Sequence, residues 1–507
     1  MPNVFAPTRF GRGWWLWPGL PLLVILLIRL GALQAGGALA FPDEERHLKS
    51  VEAVEAIFQG DVERLCLHLA NTQGRPADAL LRLPVALVQV GLHRIWQIPP
   101  TSPTSLLVPQ LLNWVVLLLN LLLLWRLARR LLPVASATMV LVVYSALSST
   151  QLYVRHLLPY DTALGVVLLS LVLLSAPAAA RSPWRSGLLA GGLGLLAFAV
   201  YPGYYFAPLL PGALLLASQP KSAWKRALWG FGAGAGLVVV PLEVLTRFGH
   251  ISYLRTLQHL PATVIQGDFS EGFSFLPRYL WQVEGLTGAL LLLAALPGLW
   301  ALLTCHSTPV ARVVAVVPVA AWLGHACLGY FAHTLVFYGR IIHFFLPFLV
   351  LYAGAALPLL RRHRLQQLAA SALVVTALGG LARFVPAYFA LAYPRDVLAT
   401  YSGVAPGRLR YLNEGGLNAT LDYDVPPVGP LAPPARPDSL VLVNCTFLYP
   451  LLSPGCQPVQ LPAAYRRVFD APHFLTLPAY GFEGFSPSMR EQLGQCRFRC
   501  RVYEKAK

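Results

Sequence analysis

Runs of about 20 mostly apolar residues recur along the first three-quarters of the chain, and no other feature constrains the fold as much. Inside a bilayer a segment must satisfy its own backbone hydrogen bonds, so such runs read as helices. Candidate spans lie at roughly 14–35, 105–125, 134–150, 157–176, 187–201, 203–218, 226–247, 283–303, 310–331, 335–358 and 366–385. Composition agrees. Of the 507 residues, 56% are hydrophobic and only 12% charged, about half the charged share of a soluble domain. Disorder, a coiled coil and a small disulfide scaffold are excluded. The expected fold is an all-α polytopic membrane bundle of about eleven transmembrane helices.

The basic residues orient it. With 39 Lys+Arg against 22 Asp+Glu the net charge is +17. With the N-terminus inside, the inner segments carry Arg9 and Arg12, then Arg126, Arg129 and Arg130, then Arg181 and Arg185. Lys221, Lys225 and Arg226 follow, then Arg312, then Arg361, Arg362 and Arg364. No acid lies among them; all 22 fall in outer segments or near helix ends. This is the positive-inside pattern. No basic, aromatic-interleaved stripe marks a soluble segment, so nucleic acid is excluded as a partner.

The membrane module thus occupies residues 1–385, with outer loops at 36–104 and 248–282 and an outer soluble region at 386–507. The tail has short strand-like runs such as Ser439–Phe447 and is expected to be a small mixed α/β unit. Residues 80–98 are long enough to span, but Arg82, Gln89, His93 and Arg94 interrupt them. They are expected to form a juxtamembrane helix. Cys445, Cys456, Cys496 and Cys500 all lie in the tail, which suggests two disulfides with three possible pairings.

Three constellations carry chemistry. Asp43-Glu44-Glu45 follows the first span. It reads as the start of a helix, with acids offsetting the helix dipole, and also as a carboxylate pair at the mouth of a membrane cavity. Tyr153-Val154-Arg155-His156-Leu157-Leu158-Pro159-Tyr160-Asp161 puts arginine, histidine and aspartate at the edge of hydrocarbon, where desolvation is costly. His156 and Asp161 there suit a divalent metal or a phosphate. Tyr338-Gly339-Arg340-Ile341-Ile342-His343 sets an Arg and a His one turn apart, an arrangement suited to a lipid phosphate. Tyr201-Pro202-Gly203-Tyr204-Tyr205 reads as an outer hairpin with interfacial tyrosines, or as a substrate-facing turn, and His250, His259, Asp268 and Glu271 as solvated loop residues that could assist a site. There is no phosphate-binding GxxxxGKS/T loop, Rossmann fingerprint or GxSxG.

In their order and topology these motifs resemble the GT-C superfamily of membrane glycosyltransferases, in the style of the protein O-mannosyltransferases and the lipid A aminoarabinose transferase. The resemblance covers residues 14–385 and rests on Asp43-Glu44 after the first span, on RHLLPYD and on YGRIIHFFLP. It implies inverting transfer of a sugar from a polyprenyl-phosphate donor to a hydroxyl of a glycan, lipid or protein acceptor. Asp43 would be the general base, with Glu44 orienting the acceptor or helping hold a divalent metal. Arg155, His156, Tyr338, Arg340 and His343 would bind the lipid phosphate and sugar, and Asp161 would ligate the metal. A bacterial inner membrane with a periplasmic site is the expected setting, since Glu504-Lys505-Ala506-Lys507 carries no retention signal. The rival classes are a transporter or flippase, with mid-membrane ionisable residues and paired broken helices, and a non-catalytic scaffold.

Overall fold

The computed structural model describes residues 16–33, 42–175, 182–264 and 271–389, with the tail runs 409–413, 440–445, 465–470, 487–488, 490–491 and 499–505. The first helices are α1 (Leu16–Gly31), α2 (Arg46–Gln59), α3 (Val62–Ala70), α4 (Pro76–Trp96), α5 (Pro103–Leu131) and α6 (Val134–Ala146). They continue with α7 (Ser148–Arg155), α8 (Tyr160–Leu174), α9 (Pro183–Val200), α10 (Leu209–Ser218), α11 (Trp224–Phe248) and α12 (Tyr253–Val264). The last are α13 (Phe275–Glu284), α14 (Leu286–Thr304), α15 (Pro309–Tyr330), α16 (Gly339–Ala356) and α17 (His363–Phe389).

Every expected span contains a helix, but not every helix has spanning length. Among the described residues seven are long and apolar enough to cross a membrane, the bent pair α6–α7 passes the same test when taken together, and α1 and α8 are shorter apolar helices. The 10 residues of α10 rise only about 15 Å, half a hydrocarbon core. The protein is an integral, multi-pass membrane protein. The α4 helix, over the 80–98 stretch, is not among the spanning helices. It buries Asp78, Arg82 and Gln89 against its neighbours, and α2, α3 and α4 pack together as one unit.

The centre of the bundle is α16, 89% of whose apolar window is buried, against 17% for the helix through α11. One seam shows how the wall closes. A Cβ on Gly187 or Gly191 of α9 would come within 2.1 and 2.0 Å of the Ala227 and Phe231 carbonyl oxygens of α11. On α11, Gly230 and Gly234 stand equally close to Trp184 and Leu188 of α9. Glycines four apart on both helices let the backbones touch, the usual route to tight packing where lipid supplies no hydrophobic drive.

The bend between α6 and α7, 58° at Leu147, would orphan backbone groups in the apolar interior. Two buried charges satisfy them. Arg29 of α1 donates to the Ser145 carbonyl from Nε at 2.7 Å and to the Leu147 carbonyl from Nη2 at 3.1 Å. Glu284 of α13 accepts from the Ser148 and Ser149 amides at 2.8 and 2.9 Å and from the Ser149 hydroxyl at 2.7 Å.

In the tail, β1 (Leu409–Asn413), β2 (Leu440–Cys445), β3 (Tyr465–Asp470) and β4 (Arg499–Lys505) form one sheet in the order β1-β2-β4-β3. The β1–β2 pair is parallel and the others antiparallel. The tail cysteine side chains lie outside the described residues, so the expected disulfides do too.

The glycine seam gives a direct test. Gly191→Leu should lower the melting temperature of the detergent-solubilised protein by the equivalent of about 1–3 kcal/mol, the cost of overpacking a close interface. A Cβ on Gly192 would meet its nearest atom at 3.7 Å, so Gly192→Ala should leave the melt unchanged. Equal melts for the two variants would contradict the seam.

Candidate active site

The three constellations meet. Asp43 sits in a short 3-10 turn, Pro42–Glu45, that leads into α2. Its carboxylate is ringed by arginines. Arg46, one turn on, lies 2.6 Å away, Arg340 from the start of α16 donates at 2.8 Å, and Arg75 ahead of α4 at 3.3 Å. Burial alone would raise the Asp43 carboxyl, but the guanidiniums of Arg46, Arg75 and Arg340 outweigh it and hold it well below the usual carboxylate range. Aromatic rings floor the cluster. The Arg75 guanidinium lies 5.0 Å from the Tyr201 ring centroid, and Arg340 lies 5.0 Å from Tyr338 and 5.7 Å from Tyr160. Tyr204 donates to the Arg340 carbonyl at 3.1 Å. The 201–205 segment, read from sequence as an outer hairpin with a substrate-facing turn as the alternative, therefore packs against the cluster.

Beneath this cluster lies a fully buried layer. Glu44 accepts from the Leu157 amide at 2.7 Å and pairs with His156 Nδ1 at 3.1 Å, and Arg155 Nη1 lies 3.3 Å from the same ring nitrogen. The carbonyls of this turn are met by one face of α5. Gln110 donates to Arg155, Asn113 to His156 and Asn120 to Asp161. From α4, Arg82 binds Asp78 and donates to the Leu158 carbonyl at 2.9 Å. Asp161, in the first turn of α8, lies 3.0 Å from His343 Nε2 of α16, and its Oδ2 has no hydrogen-bond partner. His47 pairs with Gln89 at 2.6 Å, and burial, with Arg82 nearby, pushes it down to about 3, so it stays neutral.

Accessibility divides the roles. Asp43, Arg46, Arg75 and Arg340 keep 13–19% of their side chains exposed, whereas Arg155, His156 and His343 keep 0% and Glu44 1%. The Asp43 cluster is thus part-exposed, and the Glu44–His156 layer is fully buried. Among the described residues no three His, Cys, Asp or Glu gather to hold a metal ion, and both Glu44 oxygens already meet N–H groups or a histidine.

Sequence reasoning missed Arg46, Arg75 and Arg29. Arg46 follows Asp43 at helical spacing and was open to a pattern search; Arg75 is brought in only by the fold. The outer loop differs from expectation in one place. Glu271 is buried, paired with Arg278 at 3.3 Å and with Arg490 of the tail at 2.5 Å. His250 is exposed, 2.9 Å from Glu63, His259 is exposed, and Asp268 lies outside the described residues.

In fold the chain is similar to ArnT from Cupriavidus metallidurans. The structure of that protein bound to undecaprenyl phosphate matches with a TM-score of 0.55 and 15% identity, over 83% of this chain and 86% of the other. The apo structure matches at 0.52 and 17%, over 82% and 86%. No family model and no curated protein matches the sequence.

The buried layer predicts unequal effects at Glu44. Glu44→Gln keeps a carbonyl for the Leu157 amide, whereas Glu44→Ala strands it, at a cost of about 1–3 kcal/mol. The alanine variant should melt measurably lower than the glutamine variant. Equal melts would remove Glu44 from its bracing role.

Proposed function

We propose that the protein transfers a sugar from a polyprenyl-phosphate donor to an acceptor hydroxyl, by inverting general-base catalysis at the outer face of the membrane. The observation that carries this reading is the cluster of three guanidiniums, Arg46, Arg75 and Arg340, gathered on Asp43 in the part-exposed layer. A guanidinium cluster of this kind, beside apolar spans, suits a phosphate carried on a lipid. Arginine pairs with phosphate oxygens through two parallel N–H bonds. The undecaprenyl phosphate bound in the ArnT neighbour supports the same donor class.

In this reading Arg340 and Arg75 hold the donor phosphate, with Tyr338 and Tyr201 shaping the pocket beneath them. As the bond from the anomeric carbon to the phosphate oxygen breaks, charge grows on the phosphate where fixed cations already stand, so no reorganisation is needed. Asp43 takes the proton of the acceptor hydroxyl as that oxygen attacks the opposite face of the sugar. The arginines keep Asp43 ionised. Their charge also weakens it as a base until the donor phosphate engages them. Arg155, His156, Asp161 and His343 keep the roof and floor in register from below. The positive-inside pattern puts the site and the tail on the outer side, which in a bacterium is the periplasmic face of the inner membrane.

A transporter fits less well. Among the described residues only one bent helix pair occurs, and the charges at its bend, Arg29 and Glu284, are spent on capping it.

Two variants test the assignment. Asp43→Asn should cut transfer by roughly 10²–10⁴ while binding polyprenyl phosphate at least as tightly as the parent, since an anion is removed from a cationic site. Arg340→Ala should weaken that binding. Full transfer by Asp43→Asn would sink the base assignment, and unchanged lipid binding by Arg340→Ala would leave the arginine as an interfacial anchor.

A further inference from the structure

Glu271, in the outer loop ahead of α13, is held by two arginines of unequal weight. The carboxylate keeps 3% of its side chain exposed and precedes a 3-10 turn at Gly272–Ser274. Its Oε1 lies 3.3 Å from Arg278, which is 53% exposed, and its Oε2 lies 2.5 Å from Arg490 of the tail, which is 10% exposed. A partner in water is screened and holds little. A desolvated partner holds firmly, because its removal leaves the mate charged and buried. Arg490 is therefore the residue that fixes Glu271.

Glu271 in turn fixes the chain that follows. Its carbonyl accepts from the Ser274 amide at 3.0 Å and from the Ser274 hydroxyl at 2.7 Å. Gly272 (φ +49°) lies so close to Tyr330 of α15 that a Cβ would come within 2.7 Å of the ring. Phe275, at the start of α13 and 1% exposed, sets its ring 5.3 Å from that of Phe337. Phe337 also meets His325 and Trp322 of α15, at 5.3 and 6.3 Å between ring centroids. The next residue, Tyr338, caps α16, and its ring lies 5.0 Å from the Arg340 guanidinium.

We propose that Glu271 and Arg490 are positioning residues for the donor site. The tail, locked onto Glu271, seats Phe275 against Phe337 and so sets Tyr338 and Arg340 toward Asp43. The inference rests on the transferase reading above and gives the soluble tail a part in it. Each link is a direct contact or a single turn of chain, and the last one, from Arg340 to Asp43, spans 2.8 Å. Close-packed aromatic rings pass on a displacement because they leave no free volume to absorb it. With Arg490 gone, Glu271 is a buried charge whose remaining partner is the exposed Arg278, so the carboxylate is drawn toward water and the 271–275 turn moves with it.

Two measurements on the purified full-length protein in detergent test this. The first is transfer kinetics, with polyprenyl-phosphate binding alongside. Glu271→Gln and Arg490→Gln should each raise the donor KM and weaken polyprenyl-phosphate binding by roughly fivefold or more, with kcat at saturating donor and the acceptor KM close to the parent's. Arg490→Lys, which keeps the charge, should recover most of that loss, and Arg278→Gln should show none of it. The second is amide hydrogen exchange over residues 336–341, read by mass spectrometry with no donor present. Arg490→Gln should speed exchange there, and Arg490→Lys should not. A lowered melting temperature with donor KM, lipid binding and exchange all unchanged would make the pair a fold stabiliser only and overturn the proposal. Equal losses in Arg490→Lys and Arg490→Gln would overturn it too, since charge pairing would not be the link. A parent that neither transfers sugar nor binds polyprenyl phosphate would strike the transferase reading. The coupling of tail to Arg340 would then stand or fall on the exchange result.

Discussion

The bend at Leu147 is the constraint on which the rest depends. A helix broken inside the bilayer must have its orphaned amides and carbonyls met by side chains, and here one cation and one anion, Arg29 and Glu284, do so from opposite sides. Such charges survive burial only when fully hydrogen-bonded. The Arg29–Glu284 arrangement therefore fixes α1 and α13 against the bend as firmly as it fixes the bend itself. The redirected α7 then ends at Arg155 and delivers His156 to Glu44. Without the bend, α6 would run straight and the 155–161 turn would not reach the 3-10 turn after α1.

From that turn outward, charge pairing changes in a graded way. In the buried layer each carboxylate has its own cation, histidine or amide. Glu44 has His156 and Leu157, Asp161 has His343, and Asp78 has Arg82. In the accessible layer three guanidiniums share Asp43. Gathering several guanidiniums is less costly where side chains keep some contact with water than in a sealed interior, where desolvation penalises each ion. Aromatic faces beside Arg75 and Arg340 add to their stabilisation.

The sequence made the spans legible because hydropathy is a local signal, and it made the Asp43, Asp161 and Arg340 groups legible because polar residues beside apolar runs stand out. It did not make their partners legible. Asp43 and Arg340 are 297 residues apart, and Glu44 and His156 112. No local period encodes such pairs. Arg29 was hidden for the opposite reason, as a lone cation inside an apolar helix, where snorkelling is the ordinary reading. Arg75 lies in a polar loop segment with nothing to distinguish it. The sequence also overstates crossing by α10, since an apolar run of adequate length is interrupted at Pro202–Tyr204 and only its second part stays α-helical.

The unit of α2, α3 and α4 holds the Asp43 cluster against the bundle. One face of α2, with His47, Ser50, Val51 and Val54, is buried against the neighbouring helices. His47 bonds Gln89 and Ser50 donates to the Ala79 carbonyl, which pins α2 to α4 in one register. With that register fixed, Arg46, Lys49 and Glu52 succeed one another at three-residue steps along the helix. Gln89 ties the same unit onward to Pro100 and Ser105 at the start of α5. The position of Arg46 and of the 3-10 turn that carries Asp43 is therefore set by rigid secondary structure anchored to the bundle.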